Sequence, residues 1–323
     1  MPAGSALAAV LILLQLACAS AAQRKPEDAA LPRAARKTPP PPCPGVDPAN
    51  AGVHLTFLAT NDFHGALESK TYPWSNGRPV GGAGALAAAI ESAREVNPGG
   101  TVLLDGGDVM QGTPISNLVR GASVIELFNL LGYDAAAIGN HEFDWGIDTL
   151  QARVAQARFP FLSANIVERA SERAPSWSPA TRLLERKGVR IGVIGLTTRS
   201  TPATTLPDNV RQLVFTDLAQ AVNRAVPQLQ AAGAELIVVL AHAGAVYDAD
   251  AERYRGEIAD AMPAMDAAVD LVVSGHTHTL QNAELNGIVL VQARSSGTAL
   301  AIVDLWVDPE SGEVVCSTVD VPT

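Results

Sequence analysis

The sequence predicts an α/β domain in which the carboxyl ends of several strands meet at one site. Apolar runs of strand length alternate with helical patterns from about residue 53 to residue 278, which is typical of βαβ units. Five of these runs stop at a side chain able to bind a metal ion. Five of the six histidines follow such runs, and only His54 lies at the opposite end of its strand. This pattern predicts a metal site at the strand ends.

The composition is typical of a globular protein and argues against nucleic-acid binding. The chain has 323 residues, of which 47% are hydrophobic, and a formal net charge of −10. Phosphate backbones favour basic faces, so an acidic chain is a poor nucleic-acid scaffold. An acidic protein can still bind a phosphorylated small molecule when metal ions supply the positive charge.

Residues 1–22 have the features of an export signal. Ala6–Ala17 is an apolar run too short to span a bilayer, and small residues follow it, although no Lys or Arg precedes it. Two processing routes remain open: cleavage after Ala19 or Ala21, or lipid attachment at Cys18. The second route makes a lipid anchor. Both predict a periplasmic or extracellular protein.

Residues 23–50 are predicted to be a proline-rich disordered linker, and residues 51–323 a single domain. The stretch Gln23–Lys37 has five basic and two acidic residues, a charge of +3, and Pro39–Pro44 is polyproline-like. Export would place Cys43 and Cys316 in an oxidising compartment. We therefore consider a disulfide between them, with two unpaired thiols as the alternative.

The first half of the domain predicts three strands, each followed by helical segments. Pro98 and the glycines beside it end the first helix. The predicted strands are Leu55–Thr60, Thr101–Leu104 and Ala135–Ile138. The predicted helices are Gly84–Val96, Ile115–Val119, Ser123–Leu131 and Ile147–Ala157.

The second half predicts two further strands of the same kind and then antiparallel strands. A hairpin is expected across Lys187 and Gly188. Arg199–Asp208 is expected to be a polar connector, with the lining of a substrate mouth as the alternative. The predicted strands are Arg182–Glu185, Val189–Thr197, Leu236–Ala241, Leu271–Ser274, Gly287–Gln292 and Ala299–Val307. The predicted helices are Thr216–Ala232 and Tyr247–Ala268.

The side chains at the strand ends suit two divalent metal ions. Imidazoles mixed with carboxylate and amide oxygens favour Zn, Mn, Fe or Co, and seven ligands are too many for one ion. Asp108 is the natural bridge between two ions. Asp62 and His64 are spaced i,i+2, as are His276 and His278. On extended chain the two side chains of such a pair are expected to point the same way, so that each pair serves one ion. The candidate ligands are Asp62, His64, Asp108, Asn140, His242, His276 and His278.

Five motifs, in order, resemble those of calcineurin-like metallophosphoesterases, and more narrowly the metal domain of the bacterial 5′-nucleotidase and UDP-sugar hydrolase family. The resemblance covers about residues 53–307 and implies a four-layer α/β/β/α sandwich. The motifs are Asn61-Asp62-Phe63-His64-Gly65, Gly106-Gly107-Asp108-Val109-Met110-Gln111-Gly112, Gly139-Asn140-His141-Glu142-Phe143-Asp144, His242-Ala243-Gly244 and Gly275-His276-Thr277-His278.

The resemblance also implies a role for each residue of the site. His141 would not bind metal but would stabilise the transition state and protonate the leaving group, oriented by Asp144. Asp144 is alternatively the N-cap of the helix that starts at Ile147. The implied ligands are Asp62, His64 and His278 for the first metal, Asn140, His242 and His276 for the second, and Asp108 for both.

These implications predict a binuclear phosphoester hydrolase acting on a phosphorylated small molecule, most simply a 5′-nucleotide. The alternatives are 2′,3′-cyclic nucleotide phosphodiesterase activity, UDP-sugar hydrolase-like activity, and an inactive metal- or nucleotide-binding module. The family normally has a second, base-binding domain, whereas this chain stops at Thr323. Nucleoside specificity, metal identity and oligomeric state are therefore not predicted.

Overall fold

A computed structural model describes Cys43 and residues 52–323. These residues belong to one compact unit, Arg33–Thr323. The predicted signal peptide and all of the predicted linker except Cys43 lie outside the described residues. Within the described part, no helix combines the length and apolarity needed to cross a membrane.

The predicted α/β alternation is present, with short additional elements at the loops. The strands of the described part are β1 (Val53–Thr60), β2 (Lys70–Thr71), β3 (Pro79–Val80), β4 (Thr101–Asp105), β5 (Ala135–Ala137), β6 (Phe161–Leu162), β7 (Ile166–Glu168), β8 (Thr181–Arg186), β9 (Val189–Thr197), β10 (Leu213–Phe215), β11 (Leu236–His242), β12 (Val246–Asp248), β13 (Arg253–Arg255), β14 (Val269–Ser274), β15 (Leu280–Leu285), β16 (Ile288–Ala293), β17 (Ala301–Val307) and β18 (Val314–Asp320). The α-helices are α1 (Gly82–Val96), α2 (Pro114–Asn117), α3 (Ala122–Leu131), α4 (Ile147–Gln156), α5 (Thr201–Thr204), α6 (Pro207–Val210), α7 (Leu218–Ala231) and α8 (Glu257–Ala261). Short 3₁₀ helices are Pro73–Ser75, His141–Phe143 and Met262–Ala264.

Two six-stranded sheets form the centre of the domain. The first has the strand order β18-β17-β1-β4-β5-β6 and the second β15-β16-β14-β11-β9-β8. In the first sheet, β1, β4, β5 and β6 pair in parallel, whereas β17 pairs antiparallel with β1 and β18. Similarly, β11 is parallel to both β9 and β14.

Three apolar clusters show that these sheets are the inner two of four layers. Between the sheets, residues of β1 such as Phe57 pack in one cluster with residues of β11 such as Val238. On the outer face of the first sheet, Leu103 packs with residues of α1, α3 and α4 such as Phe128. On the outer face of the second, Val239 packs with α7 and α8. Because both faces of the central strands are buried, these strands are continuous apolar runs. The predicted four-layer α/β/β/α sandwich is confirmed.

The predicted helix Tyr247–Ala268 is wrong. The segment instead contains the antiparallel pair β12 and β13, then the short helix α8 and a 3₁₀ turn. The carboxylate of Asp248 accepts hydrogen bonds from the backbone N–H groups of Asp250 and Ala251, at 3.1 and 3.2 Å. Such local side-chain bonds compete with the helical backbone pattern, so an acidic composition did not make this segment helical.

Strand β15 was not predicted, although its turn has a clear sequence signal. It forms a hairpin with β16 across Asn286 and Gly287, whose φ angles are 57° and 78°. Asn-Gly is the favoured pair for a two-residue hairpin turn because both residues tolerate positive φ. The dipeptide therefore marked the hairpin.

The structure contains the disulfide between Cys43 and Cys316, with a Cα–Cα distance of 5.4 Å. Cys316 is buried on β18, at the edge of the first sheet. Cys43, the described residue of the predicted linker, is thus bonded covalently to the first sheet.

Candidate metal centre

The candidate ligands of the sequence lie together at the carboxyl ends of five strands drawn from both sheets. Asp62 follows β1, Asp108 follows β4 and Asn140 follows β5, all in the first sheet. His242 ends β11, and His276 follows β14 in the second sheet. Because the two sheets pack face to face, these ends approach one another, as the sequence predicted.

Asp62, His64 and His278 form the first group of possible metal ligands. The Nε2 atoms of the two histidines are 3.0 Å apart. Asp62 Oδ1 is 3.3 Å from Nε2 of His278 and 3.9 Å from Nε2 of His64. Three ligand atoms at this spacing can surround one ion.

Asp108, His242 and His276 form a second group. Nε2 of His242 is 3.0 Å from Asp108 Oδ2 and 3.1 Å from Oδ1 of Asn140, so the amide oxygen joins this group. The same Oδ2 of Asp108 is 3.8 Å from Nε2 of His64 in the first group. Asp108 therefore lies between the two groups, where a bridging ligand is expected.

The donor atoms fit the expected pair of divalent ions. Nδ1 of His242 donates a hydrogen bond to the carbonyl of Gly106 at 2.9 Å, and Nδ1 of His64 to that of Gln111 at 2.7 Å. In the neutral ring that binds metal, each bond fixes the tautomer and leaves Nε2 with a lone pair directed at its group. Burial also lowers the pKa of His64, which favours the neutral imidazole that metals bind.

The i,i+2 argument for the histidine pair was wrong. His276 belongs to the second group and His278 to the first, so the pair is divided between the two groups of possible ligands. The pair Asp62 and His64 does share a group, but not on extended chain. Five of the seven candidate ligands have left-handed backbone: Asp62 (φ 50°), His64 (51°), Asp108 (56°), His276 (76°) and His278 (55°).

Left-handed backbone is unfavourable for side chains other than glycine, so surrounding contacts must hold it. The backbone N–H of His276 donates to both carboxylate oxygens of Asp62, at 3.0 and 2.9 Å. Those of Asp62 and His64 donate to the carbonyls of Gly107 and Asp108, at 2.9 Å each. The three loops after β1, β4 and β14 thus hold one another in the ligand-presenting conformation.

His141 and Asp144 form a hydrogen-bonded pair beside the metal groups. Nδ1 of His141 is 2.7 Å from Oδ2 of Asp144, and the His141 ring centroid is 5.3 Å from that of His64. The hydrogen bond with Asp144, with Asp108 nearby, raises the pKa of His141 to about 9. Asp144 is not the N-cap of α4, because Gly146 occupies that position. Its other oxygen instead accepts from the hydroxyl of Thr205 at 2.7 Å.

A protein-family model described as bacterial capsule synthesis protein PGA_cap matches residues 101–293. The chain belongs to the PGA_cap family. It is 30% identical over 288 residues to endonuclease YhcR of Bacillus subtilis, a match that covers 83% of this chain and 23% of YhcR. It is 35% identical over 243 residues to the 5′-nucleotidase of Bos taurus, covering 72% of this chain and 39% of that enzyme. The chain therefore spans well under half the length of these relatives.

A solved structure confirms the fold and the resemblance of this PGA_cap chain. The calcineurin-like phosphoesterase YfkN of Bacillus subtilis superposes with a TM-score of 0.73 and 27% identity. The match covers 84% of this chain and 91% of that one. The expected resemblance to calcineurin-like metallophosphoesterases, and to the metal domain of 5′-nucleotidases, is thus confirmed.

One polar residue that organises the PGA_cap site was missed as a site residue. Glu142 is buried, and its carboxylate accepts three backbone N–H bonds: from Asp108 at 2.9 Å, Val109 at 2.8 Å and Gly139 at 2.7 Å. The pKa of Glu142 is raised to about 7. Burial is the largest cause, and the nearby charge of Asp108 raises the pKa further. The sequence signal for Glu142 was its place in the polar cluster Asn140–Asp144. Residue type alone does not show that it positions other residues of the site.

Charges inside the site are strongly coupled. Burial by itself would raise the pKa of Asp108, but the charge and hydrogen bond of His242 outweigh it and lower that pKa below its usual range. Burial opposes the charged form of His242 as well, yet Asp108 raises its pKa to about 10. The two buried groups therefore stabilise each other as an ion pair. A bound cation would take the place of the positive charge in this pair.

The polar segment Arg199–Asp208 borders the site. The sequence favoured an ordinary connector here and left the lining of a substrate mouth as the alternative. The carbonyl of Thr204 accepts a hydrogen bond from Nδ2 of Asn140 at 3.5 Å, and Thr205 binds Asp144 as described. Asn209, just beyond it, donates to the carbonyls of Phe143 and Asp144 at 2.8 and 3.1 Å. The segment therefore fixes the loop that holds His141.

Proposed function

We propose that this chain is a binuclear metal-dependent phosphoester hydrolase. The observation that carries the proposal is the position of Asp108 between two ligand groups, with the His141–Asp144 pair beside them. Two metal ions held this way would supply Lewis-acid stabilisation of the phosphoryl oxygens and an activated water as nucleophile. Asp62, His64 and His278 would hold one ion, Asn140, His242 and His276 the other, and Asp108 both.

His141 would act on the leaving group. Its Nδ1 donates to Asp144, so the proton that the charged ring can give up is the one on Nε2. In the metal-free chain Asp144 raises the pKa of His141 to about 9, which suits the ring to hold a proton, stabilise negative charge and then protonate the departing oxygen. The side chain is one-third exposed, at 34%, so a substrate can reach it.

The proposed substrate is a phosphorylated small molecule, in the first instance a 5′-nucleotide. Two relatives support this choice by name, the bovine 5′-nucleotidase and the trifunctional nucleotide phosphoesterase protein YfkN of Bacillus subtilis. Cyclic nucleotides and sugar nucleotides are the alternative substrates, and a panel of all three classes discriminates between them. The metals are proposed to be Zn, Mn, Fe or Co, because the donor set mixes imidazole with oxygen.

We also propose that the protein is exported, as the features of residues 1–22 indicate. A cell wall protein of Listeria monocytogenes is 26% identical over 299 residues, which supports a surface or periplasmic location. Mass spectrometry of the protein recovered from its host distinguishes cleavage after Ala19 or Ala21 from lipidation at Cys18. An intact amino terminus would contradict export.

The function is tested by removing and restoring metal. Purified protein treated with a chelator and desalted is expected to lose hydrolysis of p-nitrophenyl phosphate, and added Mn²⁺ or Zn²⁺ to restore it. Metal analysis of the active protein should give two ions per chain. Full activity in protein shown to contain no metal would overturn the proposal.

A further inference from the structure

Arg294 lies next to the first metal group and is fixed there by its backbone. It directly follows β16, and its carbonyl accepts a hydrogen bond from Nδ2 of Asn61 at 2.6 Å. The same Nδ2 donates to Oδ2 of Asp62 at 2.6 Å. A single amide therefore joins the main chain of Arg294 to a candidate metal ligand.

The guanidinium of Arg294 is held on an aromatic stack. Its Cζ atom lies 4.8 Å from the ring centroid of Trp74, over the ring. Trp74 in turn stacks on Tyr72, with centroids 5.4 Å apart and an angle of 16° between the planes. Trp74 is 43% exposed, so the stack stands at the surface. Stacking on an aromatic face orients a guanidinium while leaving its N–H edges available.

The guanidinium has no acidic partner in the part of the chain that the structure describes. Its contact there is the Trp74 ring, and its buried Nε atom has no hydrogen-bond acceptor. By contrast, Arg186 and Arg255 are paired with carboxylates at 2.5 and 2.9 Å. An oriented and uncompensated guanidinium is suited to bind an oxyanion.

We propose that Arg294 binds a second anionic group of the substrate, next to the phosphoryl group that is hydrolysed. The inference rests on the proposed function, because the metal centre defines where the reacting phosphoryl lies. It names the substrate class as phosphorylated compounds with a second anion close to the first, of which a nucleoside diphosphate is the simplest. Trp74 is a positioning residue that keeps the guanidinium in place.

The test compares three substrates with and without the guanidinium. ADP carries a second phosphate, whereas AMP and p-nitrophenyl phosphate do not. In Arg294→Gln, kcat/KM for ADP is expected to fall roughly 10- to 100-fold, since a charge-assisted hydrogen bond contributes about 1.5–3 kcal/mol. For AMP and p-nitrophenyl phosphate the change should stay within about twofold, because the lost bond is absent from both reactions.

Two matched variants control for indirect effects. Trp74→Ala should weaken ADP hydrolysis selectively, while Trp74→Phe, which keeps an aromatic face, should retain most of it. Arg182→Gln removes an exposed arginine from β8, at the edge of the second sheet far from β16, and should change none of the three substrates.

Unchanged ADP hydrolysis in Arg294→Gln would overturn the inference, and so would an equal loss on all three substrates. An equal loss on AMP and ADP alone would also overturn it, since Arg294 would then recognise the nucleoside. Calorimetric binding of ADP to Mn²⁺-loaded His141→Ala, with and without Arg294→Gln, decides the point independently of turnover. If the unaltered chain hydrolysed none of the substrates, the proposed function would fail while this binding comparison still tested Arg294.

Discussion

At the scale of single residues, the two histidines at the centre of the site have different tasks. His242 is buried with its Nε2 directed at Asp108 and Asn140, which suits metal binding. His141 is partly exposed and bound to Asp144, which suits proton transfer. The difference follows from what each Nδ1 contacts: a backbone carbonyl for His242 and a carboxylate for His141.

His141→Ala is expected to keep both metal ions and lower kcat about 10²- to 10⁴-fold, the usual contribution of a general acid. Metal content by atomic emission and kcat with p-nitrophenyl phosphate check this. His54→Gln serves as the control, because His54 stacks on Trp306 away from the metal groups. Loss of a metal ion from His141→Ala would show that His141 is a ligand instead.

Asp105 should make stability depend on pH in the metal-free protein. Burial raises its pKa well above the ordinary value, with opposing hydrogen bonds from Thr60 and Gly107. The native state therefore binds a proton that the unfolded chain has already released, so stability is greatest below the ordinary Asp pKa and is lost as pH rises through the raised one. Asp105→Asn should flatten this decline. Thermal melting from pH 4 to pH 9 measures it, and equal slopes for both proteins would refute the assignment.

At the scale of elements, the site depends on loops that fasten to one another. Glu142 ties the loop after β5 to the loop after β4 through the N–H groups of Asp108 and Val109. The sequence predicted the strands because buried parallel strands are continuous Val, Leu and Ile runs. It could not predict these loops, since left-handed backbone at Asp62 or His276 is imposed by neighbouring loops and not by residue type.

Glu142→Gln is expected to destabilise the fold by about 1–3 kcal/mol, because one carboxylate oxygen becomes an amide that faces N–H donors. The second metal should also bind more weakly, since Asp108 loses its backbone anchor. Urea unfolding and metal titration measure the two effects. Glu284→Gln, at an exposed position of β15, is the matched control. Unchanged metal affinity would mean that Glu142 does not position Asp108.

At the scale of the whole molecule, the resemblance of the sequence motifs predicted features that the local patterns of strands and helices do not contain. The four layers followed from the resemblance carried by the five motifs, and both sheets confirm it. The partition of the ligands between two ions also came from the resemblance, whereas the spacing of His276 and His278 suggested a different one. Which strand ends meet is a property of sheet packing, which residue spacing does not contain.

The disulfide should contribute about 2–5 kcal/mol to stability, because it closes a long loop in the unfolded chain. Cys316→Ser is expected to lower the free energy of urea unfolding by that amount and to leave metal content unchanged. A free-thiol count on denatured, unreduced protein checks the bond itself. Reactive Cys43 and Cys316 thiols in that count would contradict the structure.

The disulfide lies at the end of the first sheet away from the candidate metal centre. Cys316 pairs across the sheet with Trp306, which pairs with His54 near the start of β1, whereas Asp62 follows the end of the same strand. Cys43 is therefore bonded to one end of the first sheet, and the candidate metal ligands lie at the opposite end.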